Sequence, residues 1–465
     1  MSDEPSARHN GASGGDFLDQ MRVKRESSGR RRSEREKRVA PPAARAPVRF
    51  EELPEYKRVL AQKSASELCG VDNPFYRPHD AAAGATSVIR GETVANFASY
   101  DYLGTNQHPA IASAAQAAVE RFGLSASASR LVAGERPVHA ELEGKLASVY
   151  GTEAAVCFVS GYLTNVTAVS AIVGPQDLVI HDELIHNSVL AGIKLSGATR
   201  RFFKHNDPAD LEGVLKSLSG EFRRVLVIVE GVYSMDGDIA DLPALLELRA
   251  RYGFWLMVDE AHALGVLGET GRGTFEHFGV DSRQVDLWMG TLSKTTSSCG
   301  GYIAGCQALI DILKAEAGGF VYSVGLSPVL AAGAAASLDV LSRENWRVKA
   351  LQENGKRFLQ LARDAGLDTG LSEGFSVVPV LVGDSLRAVQ LSNELLESGI
   401  NVLPIIYPAV QEGMARLRFF ITCEHTPEQM QRAVALTAER LAALTERNFG
   451  LGSVDISQLM TLMGG

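Results

Sequence analysis

The stretch Val285-Asp-Leu-Trp-Met-Gly-Thr-Leu-Ser-Lys294 decides the fold, because a short apolar run leads directly into a lysine. The chain continues through Ser298-Cys-Gly-Gly-Tyr-Ile303, so the lysine lies in a turn rich in Ser, Thr and Gly, with no carboxylate close by in sequence. We expect Lys294 to lie at the end of a buried strand, where a lysine can lose its proton and form a Schiff base. Taken alone, such a lysine is more often a solvated turn residue.

Short apolar runs of this kind alternate with helix-length segments from residue 96 to about residue 342. The runs are at 154–159, 178–181, 224–229, 255–258, 285–290 and 302–304. Strands that are apolar on both faces, with room for a helix between them, are typical of a parallel sheet covered on both sides. We therefore predict an α/β fold that binds its ligand at the carboxyl ends of the strands.

The pattern divides the chain into five segments. We predict a disordered basic arm at 1–46, an N-terminal segment at 47–95 with a helix at 53–68, a large domain at 96–342, a small domain at 343–446 and a tail at 447–465. The small domain alternates helices with strands at 375–382 and 416–421, which indicates an α+β arrangement.

The charge is unevenly distributed along the chain. The formal net charge is −9, but the first fifty residues hold 12 Lys or Arg and 7 Asp or Glu, so the remainder carries −14. An acidic body is a poor nucleic-acid binder, and we predict no nucleic-acid partner. Five cysteines without metal-binding spacing, and no secretory signal, favour a reduced cytoplasmic location and no metal site. The two long uncharged stretches, 154–176 and 317–338, are interrupted by polar residues and are not expected to span a membrane.

A second candidate site residue ends the stretch Phe254-Trp-Leu-Met-Val-Asp-Glu-Ala-His262, an apolar strand followed by an acid. Asp259 at the strand end could keep the ring nitrogen of a pyridoxal cofactor protonated, which would turn the ring into an electron sink. His262 could face the same site. By itself, this pair could as well be a polar cap of the strand.

Three further motifs suit an anionic cofactor and substrate. In Phe158-Val-Ser-Gly-Tyr-Leu-Thr-Asn165, a strand passes through glycine into a helix whose N-terminus could hold a phosphate, although any α/β protein has several such junctions. His186 could stack over an aromatic cofactor or could be structural. Arg416-Leu-Arg418 places two arginines on one strand face, which suits a substrate carboxylate or a surface ion pair.

Taken together, these motifs resemble the α-oxoamine synthases, a family of fold-type I pyridoxal phosphate enzymes. The family includes 5-aminolevulinate synthase, 8-amino-7-oxononanoate synthase, 2-amino-3-ketobutyrate CoA ligase and serine palmitoyltransferase. The resemblance extends over about 96–444 and includes Asp101-Tyr-Leu-Gly104, Glu230-Gly-Val-Tyr-Ser-Met-Asp-Gly237 and Gly290-Thr-Leu-Ser-Lys294. It implies a fold-type I transferase with a mainly parallel seven-stranded sheet in the large domain and a smaller α+β C-terminal domain.

The resemblance also implies a role for each matching residue around the cofactor ring. Lys294 would form the Schiff base with pyridoxal 5'-phosphate, and Asp259 would pair with the ring nitrogen. His186 would lie on the face of the ring. His262 and Ser234 would lie near the phenolic oxygen.

The remaining matches concern the phosphate and the substrate. The phosphate or its approach would be surrounded by Gly161, Tyr162, Asn165 and Thr291. Arg418 would hold the carboxylate of the amino acid. The active site of this family lies between two subunits, so the resemblance implies a homodimer.

Two positions differ from the usual family pattern. Tyr100 precedes the Asp-Tyr-Leu-Gly motif where most members have Asn, and this looks like the catalytic subunit of serine palmitoyltransferase. Val324 stands where the family has a threonine that contacts the phosphate across the dimer, which leaves Ser323 as the remaining candidate. Ser129 offers a small side chain near the substrate, or it merely packs.

We therefore predict a decarboxylative Claisen condensation of a small L-amino acid, with serine favoured, and a long-chain acyl thioester, giving a 2-amino ketone of the 3-ketosphinganine type. The alternatives are a synthase that uses glycine or alanine, as 8-amino-7-oxononanoate synthase and 2-amino-3-ketobutyrate CoA ligase do, and a fold-type I aminotransferase. The acyl group could arrive on coenzyme A or on an acyl carrier protein. The basic arm could dock an acidic carrier, contact the inner membrane peripherally or only solubilise the chain.

Overall fold

The structure is a computed structural model that describes residues 47–68, 70–218 and 220–453. Its described residues belong to two compact units, which divide between residues 64 and 65. The predicted disordered arm lies outside the described residues, as does the tail beyond residue 453. The domain boundaries predicted at 95/96 and 342/343 remain predictions.

The described residues form thirteen strands and fourteen α-helices. The strands are β1 (Thr86–Ile89), β2 (Glu92–Asn96), β3 (Ala154–Phe158), β4 (Leu178–Asp182), β5 (Thr199–Phe203), β6 (Val225–Glu230), β7 (Trp255–Asp259), β8 (Leu287–Thr291), β9 (Gly301–Gly305), β10 (Val377–Gly383), β11 (Ile400–Asn401), β12 (Leu403–Ile405) and β13 (Ala415–Phe420). The helices are α1 (Pro54–Leu68), α2 (Pro109–Phe122), α3 (Pro137–Tyr150), α4 (Gly161–Ile172), α5 (Asn187–Ser196), α6 (Pro208–Leu218), α7 (Leu242–Tyr252), α8 (Thr274–Phe278), α9 (Gln307–Glu316), α10 (Gly318–Val321), α11 (Pro328–Arg343), α12 (Trp346–Asp364), α13 (Ser385–Glu397) and α14 (Pro427–Glu446).

A seven-stranded sheet forms the centre of the fold, in the order β3-β9-β8-β7-β6-β4-β5. Strands β4 to β8 are parallel, and β9 is antiparallel to both of its neighbours. The prediction of a mainly parallel seven-stranded sheet is confirmed. The run at 302–304 is the exception, because the segment 292–300 between β8 and β9 is too short for the crossover that parallel neighbours require.

The apolar runs predict six of the seven strands and miss β5. This strand contains Arg200 and Arg201, both exposed, and lies at the edge of the sheet. An edge strand needs no continuous apolar run, since one side of it faces water.

Both faces of the sheet are buried, which explains the continuous apolar runs. On β6, Val227 and Val229 pack in one large core cluster, whereas Leu226 and Ile228 pack in a second cluster. Successive residues of a strand point to opposite faces, so the two clusters cover the two faces of the sheet.

Two small sheets complete the fold. The strands β10, β13 and β12 form an antiparallel sheet, and β11 joins the hairpin of β1 and β2. The predicted strands at 375–382 and 416–421 correspond to β10 and β13, and the predicted helix at 53–68 corresponds to α1.

Within the described part of the chain, no helix is both long enough and apolar enough to cross a bilayer. The same residues contain no group of acidic, histidine or cysteine side chains able to hold a metal ion. Cys157, Cys299, Cys306 and Cys423 are free thiols.

Candidate active site

Lys294 lies in the turn that follows β8 and lines a cavity of about 290 Å³ at the carboxyl ends of the strands. Removal from water lowers the pKa of its amine to about 8, although the nearby charge of Asp259 opposes this shift. A substantial fraction of the amine is therefore uncharged and nucleophilic near neutral pH. This is the state that Schiff-base formation needs.

Asp259 is the last residue of β7 and is 4% exposed. One carboxylate oxygen accepts a hydrogen bond from Asn165 Nδ2 at 2.9 Å, and the other accepts one from the Ala261 backbone N–H at 3.0 Å. Each oxygen of a carboxylate can accept more than one bond. The side chain is therefore fixed in orientation and can still bind a positively charged group in the cavity.

The two histidines of the cavity are held differently. His186 caps helix α5, where its Nδ1 accepts a hydrogen bond from the Ser188 N–H at 3.3 Å. Nδ1 of the buried His262 lies 2.7 Å from the Tyr102 hydroxyl. Burial lowers the pKa of both rings; the charge of Lys294 adds to this effect at His262, whereas the charge of Asp259 opposes it at His186. Both histidines are therefore neutral at neutral pH.

The N-terminus of α4 opens onto the same cavity. Ser160 caps this helix, and Gly161 is its first residue. A Cβ on Gly161 would lie 2.7 Å from Thr291 Oγ1, so the close approach of helix and strand requires glycine here. Tyr162 donates its hydroxyl proton to Asn187 Oδ1 at 3.1 Å, and its ring is 6.3 Å from that of His186.

Arg418 enters the cavity from β13. Its Nη1 donates to the Ser234 carbonyl at 3.0 Å, and its Nη2 donates to the Tyr100 hydroxyl at 3.3 Å. The buried Nε has no hydrogen-bond partner, and no acid of the described residues forms an ion pair with this guanidinium. Arg416, two residues earlier, is buried and pairs with Asp236. The ion-pair interpretation therefore applies to Arg416, whereas Arg418 is available to an anionic ligand.

Comparison with known proteins agrees with this geometry. Residues 92–436 match the family described as aminotransferase class I and II. The chain belongs to this family. It is 42% identical over 353 residues to 8-amino-7-oxononanoate synthase of Symbiobacterium thermophilum, an alignment that covers 76% of this chain and 90% of the relative.

Two solved structures show how far the likeness extends within the family. The serine palmitoyltransferase of Sphingomonas wittichii superposes with a TM-score of 0.81 at 31% identity, covering 86% of this chain and 100% of the other. The 8-amino-7-oxononanoate synthase of Francisella tularensis gives a TM-score of 0.66 at 25% identity, covering 76% and 99%. The predicted fold-type I transferase fold is thus confirmed, and the protein is a pyridoxal phosphate enzyme of the α-oxoamine synthase type.

The side chains of the cavity fit pyridoxal phosphate. Asn165 Oδ1 and Arg418 Nε are buried polar atoms without a partner at the edge of the cavity, so the site is built to receive a polar ligand. Lys294 would hold the aldehyde carbon and Asp259 the ring nitrogen. The N-terminus of α4, beginning at Gly161, would hold the phosphate.

The structure brings most of the predicted site residues together around one cavity. These residues are Tyr100, Gly161, Tyr162, Asn165, His186, Ser234, Asp259, His262, Thr291, Lys294 and Arg418. Ser129 and Ser323 lie outside this lining. Ser129 precedes the helical turn Arg130–Gly134, and the Ser323 hydroxyl donates to the Val324 carbonyl at 3.2 Å. The predicted roles of Ser129 beside the substrate and of Ser323 at the phosphate across the dimer remain predictions.

The sequence assigned no role to Glu230, which lines the cavity, or to Tyr102, which contacts His262. Glu230 ends β6 beside Asp259, lines the cavity, and accepts a hydrogen bond from the Ser234 N–H at 3.2 Å. Its position at a strand end could have revealed it, since the same argument identified Asp259. Nothing in the sequence indicated that Tyr102 contacts His262, because the two residues are far apart in the chain.

A larger cavity of about 560 Å³ contains none of the predicted site residues. It is lined by apolar side chains such as Leu309 and Ile312, with Arg223 and Arg224 among its polar residues. Both arginines already pair with Asp177. The chemistry of the side chains, rather than the size of the cavity, therefore identifies the active site.

Proposed function

We propose that the protein condenses a small L-amino acid with an acyl thioester, with loss of CO2, to form a 2-amino ketone. The observation that carries this proposal is that Lys294, Asp259 and the unpaired Arg418 line one cavity. Lys294 provides an amine that can exchange protons with the α-carbon of an amino acid, and Asp259 provides an acid for the ring nitrogen of the cofactor. The guanidinium of Arg418 can bind the carboxylate of the amino acid.

Pyridoxal phosphate, when bound, supplies an electron sink for negative charge formed at the α-carbon of the substrate. Asp259 keeps the ring nitrogen protonated, and Arg418 binds the substrate carboxylate. Lys294 removes the proton from the α-carbon and later returns one to it. Between these steps a C–C bond forms to the thioester carbonyl carbon, the C–S bond breaks to release the thiol, and the bond to the carboxyl carbon breaks to release CO2.

The relatives favour alanine as the amino acid. In the compound that gives 8-amino-7-oxononanoate synthase its name, the carbon that carries the amine also carries a methyl group and is bonded to a ketone. Decarboxylated alanine supplies this methyl-bearing carbon, whereas serine would leave a hydroxymethyl group. The other end of that compound is a carboxylate, so the matching donor is a thioester of a medium-length dicarboxylic acid. This supports the alternative with alanine better than the preference for serine and a long chain.

Serine with a long-chain acyl thioester is the second candidate. It is favoured by the higher TM-score to serine palmitoyltransferase, 0.81 against 0.66, and by Tyr100 in the cavity. The two candidates share all chemistry at Lys294 and Arg418. They differ only in the pockets for the side chain and the acyl group.

The deciding experiment measures thiol release with glycine, alanine or serine, each combined with a thioester of a medium-length dicarboxylic acid or with palmitoyl thioester. Each acyl group is supplied on coenzyme A and on acyl carrier protein. The proposal expects the highest kcat/KM for alanine with the dicarboxylic thioester. A preference for serine with the palmitoyl thioester would establish the second candidate, and thiol release with none of the pairs would reject both.

We also propose that the protein acts as a homodimer. Five large apolar side chains are exposed in two segments of the chain, at Leu124, Leu131, Val132, Tyr322 and Val324. The segments touch, since the Gly325 N–H donates to the Ala128 carbonyl at 2.9 Å. Exposed apolar surface of this kind is typical of an interface. Ser323 lies in one of these two segments, which supports its predicted role at the contact between subunits.

A further inference from the structure

Two arginines of β13 hold the same turn, the one that follows β6. Arg418 Nη1 donates to the carbonyl of Ser234 at 3.0 Å. Arg416 Nη1 donates to the carbonyl of Met235 at 3.2 Å and to the carboxylate of Asp236 at 2.6 Å. The two arginine side chains share one face of the strand, because successive residues alternate between faces. Three consecutive residues of the turn are therefore bound by two neighbouring guanidinium groups.

The two arginines differ in the charge of their partners. Arg416 is 4% exposed and binds a carboxylate, that of Asp236, whose side chain is 14% exposed. Arg418 donates to the Ser234 carbonyl and, at 3.6 Å, to the sulfur of Met235, and both of these acceptors are uncharged. The positive charge of Arg416 is therefore balanced by an acid of the same turn, whereas that of Arg418 remains for a ligand.

The ion pair of Arg416 and Asp236 acts on the cavity from outside. Ser234, Met235 and Arg418 line the cavity, whereas Arg416 and Asp236 are not part of its lining. If Arg416 were lost, the unpaired carboxylate would attract the next cation on the same strand face. That cation is Arg418, about 7 Å further along the strand. A guanidinium drawn toward Asp236 is withdrawn from the cavity.

We propose that Arg416 is a positioning residue for Arg418, because it occupies the carboxylate of Asp236 and so keeps the guanidinium of Arg418 directed into the cavity. This inference rests on the proposed function, since it takes the carboxylate of an amino acid as the ligand of Arg418. Without Arg416, the carboxylate of Asp236 would compete for Arg418, and its negative charge would repel the carboxylate of the substrate.

The test measures the binding of L-alanine and of its carboxylate-free analogue L-alaninol to Arg416→Gln holoenzyme. L-serine and serinol are a second pair, and the dissociation constants are measured by calorimetry without any thioester. We expect the variant to bind both amino acids about tenfold more weakly and both amino alcohols as wild type does.

Two further variants separate the charge of Arg416 from its packing. Adding Asp236→Asn to Arg416→Gln should recover most of the lost affinity, because it removes the carboxylate that competes for Arg418. This double variant leaves no unpaired charge between the strand and the turn, so it also avoids the cost of burying one. Arg416→Lys keeps a positive charge beside Asp236 and should retain more of the amino-acid affinity than Arg416→Gln does. Urea unfolding shows whether each variant keeps the fold.

Arg249→Gln is the matched control, since Arg249 also binds an acid, Asp286, at 2.7 and 2.8 Å, outside the active-site cavity. It should leave all dissociation constants unchanged. Unchanged amino-acid binding in Arg416→Gln would overturn the proposal, and so would equal weakening of acid and alcohol, which would show that Arg416 only supports the fold. A double variant that binds L-alanine no better than Arg416→Gln would overturn it as well. Because binding is measured without a thioester, failure of the condensation reaction in the wild type would be seen separately.

Discussion

Glu230 and Asp259 are direct neighbours across the parallel strands β6 and β7, and each ends its strand at the cavity. Both residues are 4% exposed. Burial, together with the charge of Asp259, raises the pKa of Glu230 to about 8. Glu230 is therefore mostly neutral at pH 7, so it does not compete with Asp259 for a positively charged ring nitrogen.

Glu230→Gln should retain most of the activity at pH 7, because it replaces a neutral acid with a neutral amide of similar shape. Glu230→Ala removes the acceptor of the Ser234 N–H and should lower kcat/KM about tenfold or more. Steady-state kinetics of the two variants, with cofactor content measured by absorbance, checks this expectation. Equal loss in both variants would show that Glu230 acts as a charged group.

The same pair makes the stability of the fold dependent on pH. The pKa of Glu230 is raised in the folded state, so between about pH 4.5 and 8 the folded chain holds a proton that the unfolded chain has lost. The stabilisation is therefore present at low pH and is lost as the pH rises through this range. The free energy of unfolding of Glu230→Gln minus that of wild type should increase from pH 5 to pH 8, as measured by urea unfolding, because the glutamine does not titrate. A difference that stays constant over this range would contradict the raised pKa of Glu230.

Lys294 should bind pyridoxal phosphate more readily as the pH rises through about 8, because its amine loses a proton there. Asp259 raises the pKa of Lys294, so Asp259→Asn should move this transition to lower pH. The measurement is borohydride trapping of cofactor on apoenzyme at a series of pH values. Lys294→Ala is the control and should trap none. A transition near pH 10 in the wild type would mean that the amine is not shielded from water.

His205 bridges two buried acids, Asp182 and Asp238. Its Nδ1 lies 2.9 Å from Asp182 and its Nε2 lies 3.0 Å from Asp238, and these contacts raise its pKa to about 10 against the effect of burial. We expect His205→Gln to lower the free energy of unfolding by about 3 to 5 kcal/mol at neutral pH, since it leaves two buried carboxylates uncompensated.

The control for this prediction is the double variant His205→Gln with Asp238→Asn, which removes one of the two charges and should recover part of the loss. The pKa of His205 is raised by folding, so its stabilisation is complete below about pH 6.5 and disappears as the pH rises through about 10. The difference between wild type and His205→Gln should therefore shrink over that range. Urea unfolding at several pH values measures both effects, and a difference that grows with pH would contradict them.

The sequence predicted the parts of the fold that depend on local pattern. Continuous apolar runs identified the buried strands, and the polar residues at their ends identified Asp259 and Lys294. The edge strand Thr199–Phe203 was missed because one side of it faces water, so its two arginines interrupt the pattern. The antiparallel direction of β9 follows from the short length of the segment 292–300 that precedes it, and not from the composition of the strand.

Contacts between distant residues were beyond the sequence. The bond between Tyr102 and His262 depends on how the segment before α2 meets the turn after β7, and the position of Tyr100 on Arg418 depends on how the same segment meets β13. The raised pKa of Glu230 likewise depends on burial, which residue type alone does not give. Ser323 shows a further limit, because the phosphate contact predicted for this residue would require a second copy of the chain.

The most direct test of the proposed reaction follows the carboxyl carbon of the amino acid. The holoenzyme is incubated with carboxyl-labelled L-alanine, with and without the acyl thioester, and labelled CO2 and free thiol are measured together. The account predicts CO2 and thiol in equal amounts, formed only when the thioester is present. Formation of a 2-oxo acid with retention of the label would contradict it and would identify an aminotransferase.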